Sequence, residues 1–545
     1  MMTALLSRRF TADRAASRHA WPLLVLTALA VAPVLSQTPN LPLDHWAYRF
    51  LDRLEVKQLF VTEDFNTRPL SREAIADLIR QVDARVKRDS SLLTGSEWAL
   101  FEQLKGEFYE ELTDSSATQE VVIQPKEYEP HLFTWRGPEI RAHFDLLLGQ
   151  QFRLENKQPV NVGIPRSITT WGAKVRVNIK KSLAIYFEGR SFILSEIDSS
   201  ANTVFNPSLG LPITKEALHG VAVTDNASAY AVFRLPWFDL QVGRDLVKWG
   251  PGYRGNLTLS KESNYYDLFK LTFRYKAVKF EYLHGWLNAA VRRYVAAHRL
   301  EIRLSRDFYF AINESVVYGN RGVEPLYLNP FFLFMIAERH LGNRDNNTMG
   351  FDGAWFIRPL GLKLYGEALF DDFSFTKNVF TSWANKWAVL LGGYWVDPLG
   401  LRNTDLHLEF VRIQPFVYSH RFPVNTYSNY NRSLGHWLGP DADDWYFELG
   451  YQPHRNLRAA VVFEQRRKGP GNDFNKGQRP PDGKMYFLRG IVERNRIYGL
   501  TTQVQLRRDW FFRLTYHYIQ TRNLRLEPGN DQNNHRLLIN LEFDF

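Results

Sequence analysis

From Arg136 to Phe545, apolar and polar residues alternate in about eighteen short segments. A period of two marks a strand whose two faces meet different surroundings. The connections alternate as well. Tight turns are read at Asn178–Lys181, Leu235–Trp237, Ala277–Lys279, Ser305–Asp307, Arg358–Gly361, Asp397–Gly400, Pro453–Asn456 and Arg508–Asp509. Between them run long polar stretches near 196–226, 248–267, 320–348, 372–385, 420–442 and 468–495. A sandwich or a soluble barrel has no reason to lengthen every second connection. Outer-membrane barrels do so, with short periplasmic turns and long external loops. The pattern therefore predicts an all-β fold, a transmembrane antiparallel β-barrel of about 18 strands over 136–545.

The same alternation predicts which side chains face lipid. Phe269, Leu271, Phe273 and Tyr275 share one face, and Lys270, Thr272 and Arg274 the other. Leu300, Ile302 and Leu304 oppose Arg299, Glu301 and Arg303; Phe512 and Leu514 oppose Arg513 and Thr515. A lipid-facing Arg or Lys at mid-bilayer costs about 2–4 kcal/mol, so the apolar faces are expected outside. The lumen then carries both signs, with basic residues in excess. It reads either as a cross-strand ion-pair lattice or as a path for an anionic polymer. Arg244 does not fit the alternation of Phe238, Leu240 and Val242, and a bulge at Gly243 is expected to turn it inward. In the last segment Leu537, Ile539, Leu541, Phe543 and Phe545 alternate with Leu538, Asn540, Glu542 and Asp544. A terminal Phe on such a face resembles the signal read by the barrel assembly machinery, an expected partner.

Ahead of the barrel the period changes. Residues 1–36 read as a signal peptide, with Arg8, Arg9, Arg14 and Arg18 before an apolar core from Trp21 to Leu35. Residues 37–115 read as a small α-helical domain. Ala47, Phe50, Leu51 and Leu54 fall at helical spacing, as do Ile75, Leu78, Ile79, Val82 and Val86, and Thr94 with Glu97 forms a capping box. An even strand count brings both barrel ends to one side, so this domain is expected in the periplasm. Residues 116–135 read as a linker. His45–Tyr48, Leu54–Phe60 and Arg68–Arg72 together resemble a surface-layer-homology repeat, which implies binding to a cell-wall polymer; the alternative is a cap that packs on the barrel.

Composition narrows the field. After residue 35 there is no apolar run of about 18 residues, which excludes a helical membrane protein. Aromatic residues make up 14%, with 15 Trp, 25 Tyr and 39 Phe, a supply suited to two interfacial girdles. The absence of cysteine excludes disulfides, thiolate metal sites, a Cys nucleophile and a lipid-anchored N-terminus. The formal charge of +10 falls to about +7 without the four Arg and one Asp of residues 1–36, which suits contact with acidic glycan or lipopolysaccharide in the outer membrane, and no nucleic-acid partner is expected.

The long loops are rich in Asn, Tyr, Trp, Gly and Arg, residues that stack on sugar faces and hydrogen-bond hydroxyls. Gly243-Arg-Asp-Leu-Val-Lys-Trp-Gly-Pro-Gly252, with Gly255-Asn-Leu-Thr-Leu-Ser260, resembles the signature of the Wzi-type capsule assembly family. Leu328-Asn-Pro-Phe-Phe332 and the order signal peptide, helical domain, barrel are also similar to the family pattern. Lys248 before Trp249 and Ser260–Asn264 after it depart from that pattern, which bears on glycan specificity. The resemblance implies an outer-membrane protein that binds capsular polysaccharide at the cell surface and organises it without catalysis; a monomer is expected. Gly250, Pro251 and Gly252 supply the turn chemistry of a loop re-entering a barrel mouth; Ser260, Asn329 and Pro330 complete the structural motif. Trp249 reads either as a stacking platform or as a packing anchor. Polysaccharide contacts are expected from Arg244, Lys248, Trp249, Tyr253, Arg254, Tyr265, Tyr266, Tyr427, Tyr430 and Trp437.

Two other classes were weighed. An open barrel of this size would hold water, which makes a diffusion porin for small anions or sugars the main alternative. A surface enzyme is the third reading. Asp371, Asp372, His284, His298, His407 and His517 are available, but they form no nucleophile elbow, paired-His metal motif or phosphate loop. Asp441, Asp443 and Asp444 lack calcium-loop spacing. No cofactor and no metal are expected.

Overall fold

The computed structural model describes residues 38–544 apart from 63–65, 114–119, 124–130, 157–164, 181, 196–214, 217–220, 236–237, 288–290, 375, 431 and 472–480. The segment read as a signal peptide and Phe545 thus lie outside the described residues. Eighteen antiparallel strands form a closed barrel. They are Ile140–Glu155 (β1), Ser167–Ile179 (β2), Leu183–Ser195 (β3), Val221–Arg234 (β4), Phe238–Asp245 (β5), Tyr266–Tyr275 (β6), Val278–Leu287 (β7), Arg293–Ser305 (β8), Phe308–Gly319 (β9), Asn346–Ile357 (β10), Leu362–Asp372 (β11), Lys386–Val396 (β12), Thr404–Ile413 (β13), Ala442–His454 (β14), Leu457–Lys468 (β15), Glu493–Arg507 (β16), Trp510–Arg522 (β17) and Gln532–Asp544 (β18). Each pairs with its chain neighbour, and β18 closes on β1 with Phe543 opposite Leu148. Closure leaves no free edge.

The phase follows the alternation. Lys270, Lys279, Glu281, Arg299 and Glu301 are buried in the lumen, while Tyr275, Leu304, Leu500 and Leu541 are exposed on the outer wall. Two expectations are corrected. Arg244 stays in the outward phase, opposite Asp267, with which it forms a 3.3 Å ion pair. The pairing runs through Gly243 without a register shift, so there is no bulge. Gly243, at φ +134°, is needed because a Cβ would strike the Ala229 carbonyl and Tyr230. The stretch expected to be a linker also adds two short strands, Glu120–Ile123 and Phe133–Arg136, which pair with each other and place Arg136 opposite Arg141 of β1.

The N-terminal unit contains α1 (Ala47–Val56), α2 (Arg72–Val86), α3 (Gly95–Glu107) and α4 (Tyr109–Leu112). Ser71 caps α2, and the Thr94/Glu97 capping box of α3 is formed. Its own core contains Leu51, Leu54, Ile75, Ile79, Val82 and Phe101. The unit enters the tight-turn end of the barrel. Arg53 donates to Glu97 (2.6 Å), to Asp397 in a tight turn (2.6 Å) and to Asp405 (2.7 Å). Lys363 of β11 reaches Glu55 at 2.8 Å. Arg299 of β8 donates to Thr67 at 2.8 Å, and Asn40 reaches Gln241 of β5 at 3.0 Å. The ion pairs of the inner wall thus tie the wall to the inserted unit, not only strand to strand.

One long loop takes an unexpected course. The β9–β10 connection descends the outer wall and forms a short helix, α5 (Phe334–His340). Phe334 and Ala337 are buried there against Tyr282, Tyr294, Ala296, Val316 and Tyr318, which lie in the outward phase of β7, β8 and β9. Glu314, also outward, accepts from the backbone N–H groups of Phe334 (2.8 Å) and Met335 (2.6 Å) and lies 3.2 Å from His298. His298 stacks on Phe334 at 4.4 Å. Leu333, Met335 and Ile336 are exposed, and Phe331 stacks on Phe280 of the wall at 5.5 Å.

Candidate functional site

The β5–β6 connection turns back into the lumen instead of rising out of the mouth. Lys248–Trp249 pairs with Thr67–Arg68 of the N-terminal unit, and the Gly250 N–H donates to the Asn66 carbonyl at 2.9 Å. Trp249 is 1% exposed, and its indole N–H donates to Glu281 of β7 at 2.7 Å. Of the two roles open to Trp249, this supplies packing. Gly250 has φ +114°, and a Cβ there would run into Glu367, so the turn chemistry expected at 250–252 is required.

Two buried carboxylates on the inward phase hold the rest of the loop. Glu367 of β11 accepts from Gly252 N–H (3.0 Å), Leu257 N–H (2.7 Å) and the Asn256 amide (2.6 Å). Glu409 of β13 accepts from Tyr253 N–H (2.6 Å), Arg254 N–H (2.9 Å) and the Tyr365 hydroxyl (2.9 Å). Each carboxylate thus satisfies two backbone N–H groups of the loop and one side-chain donor. Sequence reading missed these glutamates as loop anchors. The available signal was their inward phase, but their partners in the loop lie more than a hundred residues away.

The expected contact residues separate into two groups. Lys248, Trp249, Tyr266 and Tyr427 are buried; Lys248 donates to the Gly250 carbonyl and Tyr427 to that of Thr258. Ser260 is also buried and takes a backbone bond to Leu434. Tyr253 is stacked on His407 at 3.9 Å and 10°, and His407 on Tyr394 at 4.1 Å and 5°. Tyr265 packs on the luminal core. Asn329, whose side chain accepts from Phe331 N–H, lies with Pro330 on the outer wall before α5. Arg244 is on the outer rim. Tyr430 is half-buried, in a left-handed conformation at φ 50°.

Arg254 and Trp437 come together near the long-loop end. Arg254 pairs with Glu464 of β15 at 2.9 Å, and its guanidinium lies 4.3 Å from the Tyr446 ring and 5.3 Å from that of Trp437. The Trp437 indole N–H donates to the Arg254 carbonyl at 2.9 Å. Arg466, not foreseen from the sequence, lies 4.5 Å over the same indole. Glu464 pairs with both guanidiniums, so the cluster joins an apolar ring face to guanidinium N–H groups held in place by one carboxylate.

The residues weighed for catalysis do not converge. Asp371 accepts from Tyr418 N–H (2.5 Å), and Asp372 pairs with Lys386. Asp441 accepts from Gly471 and Leu488 N–H groups, and Asp443 pairs with Arg467. Among the described residues, no group of three His, Asp or Glu is arranged to hold a metal.

A solved structure of Wzi from Escherichia coli, described as an outer membrane protein involved in group 1 capsule assembly and a carbohydrate-binding β-barrel, is similar in fold. It has 13% identity and a TM-score of 0.61 over 94% of this chain and 99% of that one. OprD from Pseudomonas aeruginosa follows at 12% identity and a TM-score of 0.42, over 74% of this chain and 94% of that one. No curated protein sequence matches. The family model described as capsule assembly protein Wzi matches residues 171–536. It spans most of the barrel, including the inserted loop and the Arg254–Trp437–Arg466 cluster, and the chain belongs to that family.

Proposed function

We propose that this outer-membrane barrel binds an acidic capsular or extracellular polysaccharide at its long-loop mouth and retains it on the cell surface without catalysis. The observation that carries the reading is the Trp437 indole beneath Arg254 and Arg466, in a member of a capsule assembly family. The ring would stack on a sugar face while the guanidiniums meet carboxylates or other anionic substituents. The packed lumen supports binding over diffusion: Leu246, Val247, Trp249, Leu257 and Leu259 fill it with an apolar core. The N-terminal unit, at the tight-turn end, faces the periplasm.

The test is polysaccharide binding by purified protein, with surface-retained polysaccharide measured in cells. Trp437→Ala and Arg466→Gln should each weaken binding about tenfold and leave the compact unboiled form on gels. Unchanged binding would remove the cluster from the site. Unchanged surface polysaccharide after deletion of the gene would remove the assembly role. Large, stable single-channel openings in planar bilayers would favour a porin instead.

A further inference from the structure

The outer wall over β15–β18 is built in horizontal rungs. Val461, Leu500, Tyr516 and Leu537 lie opposite one another across the four strands. The next outward rung towards the long loops is Phe463, Tyr498, Tyr518 and His535, and the one above it is Gln465, Arg496, Gln520 and Asn533. The highest sets Arg467 opposite Arg494 and Arg494 opposite Arg522. Outward rungs are two residues apart, about 7 Å along a strand. The wall therefore passes from aliphatic to aromatic to amide to guanidinium within roughly 20 Å.

The top rung is electrostatically incomplete. Like charges directly opposite on neighbouring strands are destabilising, yet three guanidiniums stand in one row. Asp443 neutralises Arg467. Among the described residues, neither Arg494 nor Arg522 has an acidic partner, and both are exposed. Arg496 donates only to the neutral Gln465 side chain, at 3.2 Å. These arginines, with Gln520, Gln532, Asn533 and Asp531, line a surface cavity of about 490 Å³.

We propose that this cavity binds the phosphorylated headgroup of an outer-leaflet glycolipid. The phosphates sit between Arg494, Arg496 and Arg522, the amides bond the sugar hydroxyls, and the acyl chains run down over Tyr498, Tyr518 and Leu500. Arginine forks match phosphate geometry. A hydrated polymer would engage only the two polar rungs. An amphiphile with an anionic head engages all four, and the aromatic rung lies where interfacial rings belong. The site faces away from the lumen and is independent of the polysaccharide reading.

The test is lipid A binding by the full chain in detergent, followed by native mass spectrometry and thermal melting. Bisphosphorylated lipid A should bind the unaltered protein and raise its Tm. The double variant Arg494→Gln/Arg522→Gln should bind at least about tenfold more weakly and lose that Tm rise; Arg496→Gln alone should weaken binding about threefold. Without lipid A, the double variant should melt no lower than the unaltered protein, because a repulsive pair has been removed. Arg513→Gln, in the inward phase of β17, should bind normally. Dephosphorylated lipid A binding as tightly as the bisphosphorylated form would overturn the proposal. So would displacement of lipid A by micromolar inorganic phosphate, or loss of acidic polysaccharide binding with lipid A binding unchanged.

Discussion

Two stretches of the outer wall carry polar groups in the lipid-facing phase, and the protein treats them differently. Over β7–β9, His298 and Glu314 stand outward five residues below the long-loop ends of their strands, and the chain covers them with its own α5 segment. Over β15–β17 the outward arginines occupy only the top two rungs, and among the described residues no segment covers them. Depth explains the difference. Below the headgroup level, an unpaired polar group costs several kcal/mol, so Glu314 takes two backbone N–H donors. Tyr282 likewise donates to the Tyr327 carbonyl at 2.7 Å, which satisfies irregular backbone on the membrane face. At the rim the surrounding medium can supply the counter-charge. Alternation along a strand therefore reports what touches each face, which is not lipid everywhere.

The covered wall is the more sensitive place to break this contrast. Phe334→Ala removes a fully buried ring from under α5 and should cost about 3–5 kcal/mol, seen as a lower urea midpoint for the compact form and new protease cuts within 320–345. If neither changes, the cover contributes nothing. Leu500→Arg places a charge on the bare wall with no segment to shield it, at a depth cost of about 2–4 kcal/mol; an unaltered midpoint would mean that this rung lies in headgroups. Glu314→Gln keeps the shape but can satisfy only one of the two donors well, so about 1–3 kcal/mol is expected. Faster amide exchange at Phe334 and Met335 is the direct readout, and unchanged exchange would deny the capping role. Arg522→Gln, measured without glycolipid, should shift stability by no more than about 0.5 kcal/mol. A larger loss would point to an intramolecular partner for Arg522.

The alternating connections, the inward and outward phases and the Thr94/Glu97 capping box were legible because each depends on residues close in sequence. The course of the two inserted or descending segments was not. Gly250, Pro251 and Gly252 would serve a loop turning in or a loop turning out; the direction is set by Glu281, Glu367 and Glu409 on other strands. A sharper reading was available on the outer wall. Glu314 interrupts the apolar series Phe308, Phe310, Ile312, Val316 and Tyr318, a sign that something must cover it. Phe334, Ala337 and Leu341, at helical spacing in the following loop, were the candidate cover. In the mouth cluster, Arg254 and Trp437 were among the residues expected to contact polysaccharide, whereas Arg466 was not singled out.

The small ladder between Thr67–Arg68 and Lys248–Trp249 has a thermodynamic consequence. It joins a segment that enters the barrel from one end to a segment that enters from the other, and Arg299, Glu281 and Lys363 clamp both to the same wall. Withdrawing either segment removes hydrogen-bond partners from buried groups of the other. The two insertions therefore share one cooperative transition, and heat or denaturant should release them together at a single midpoint.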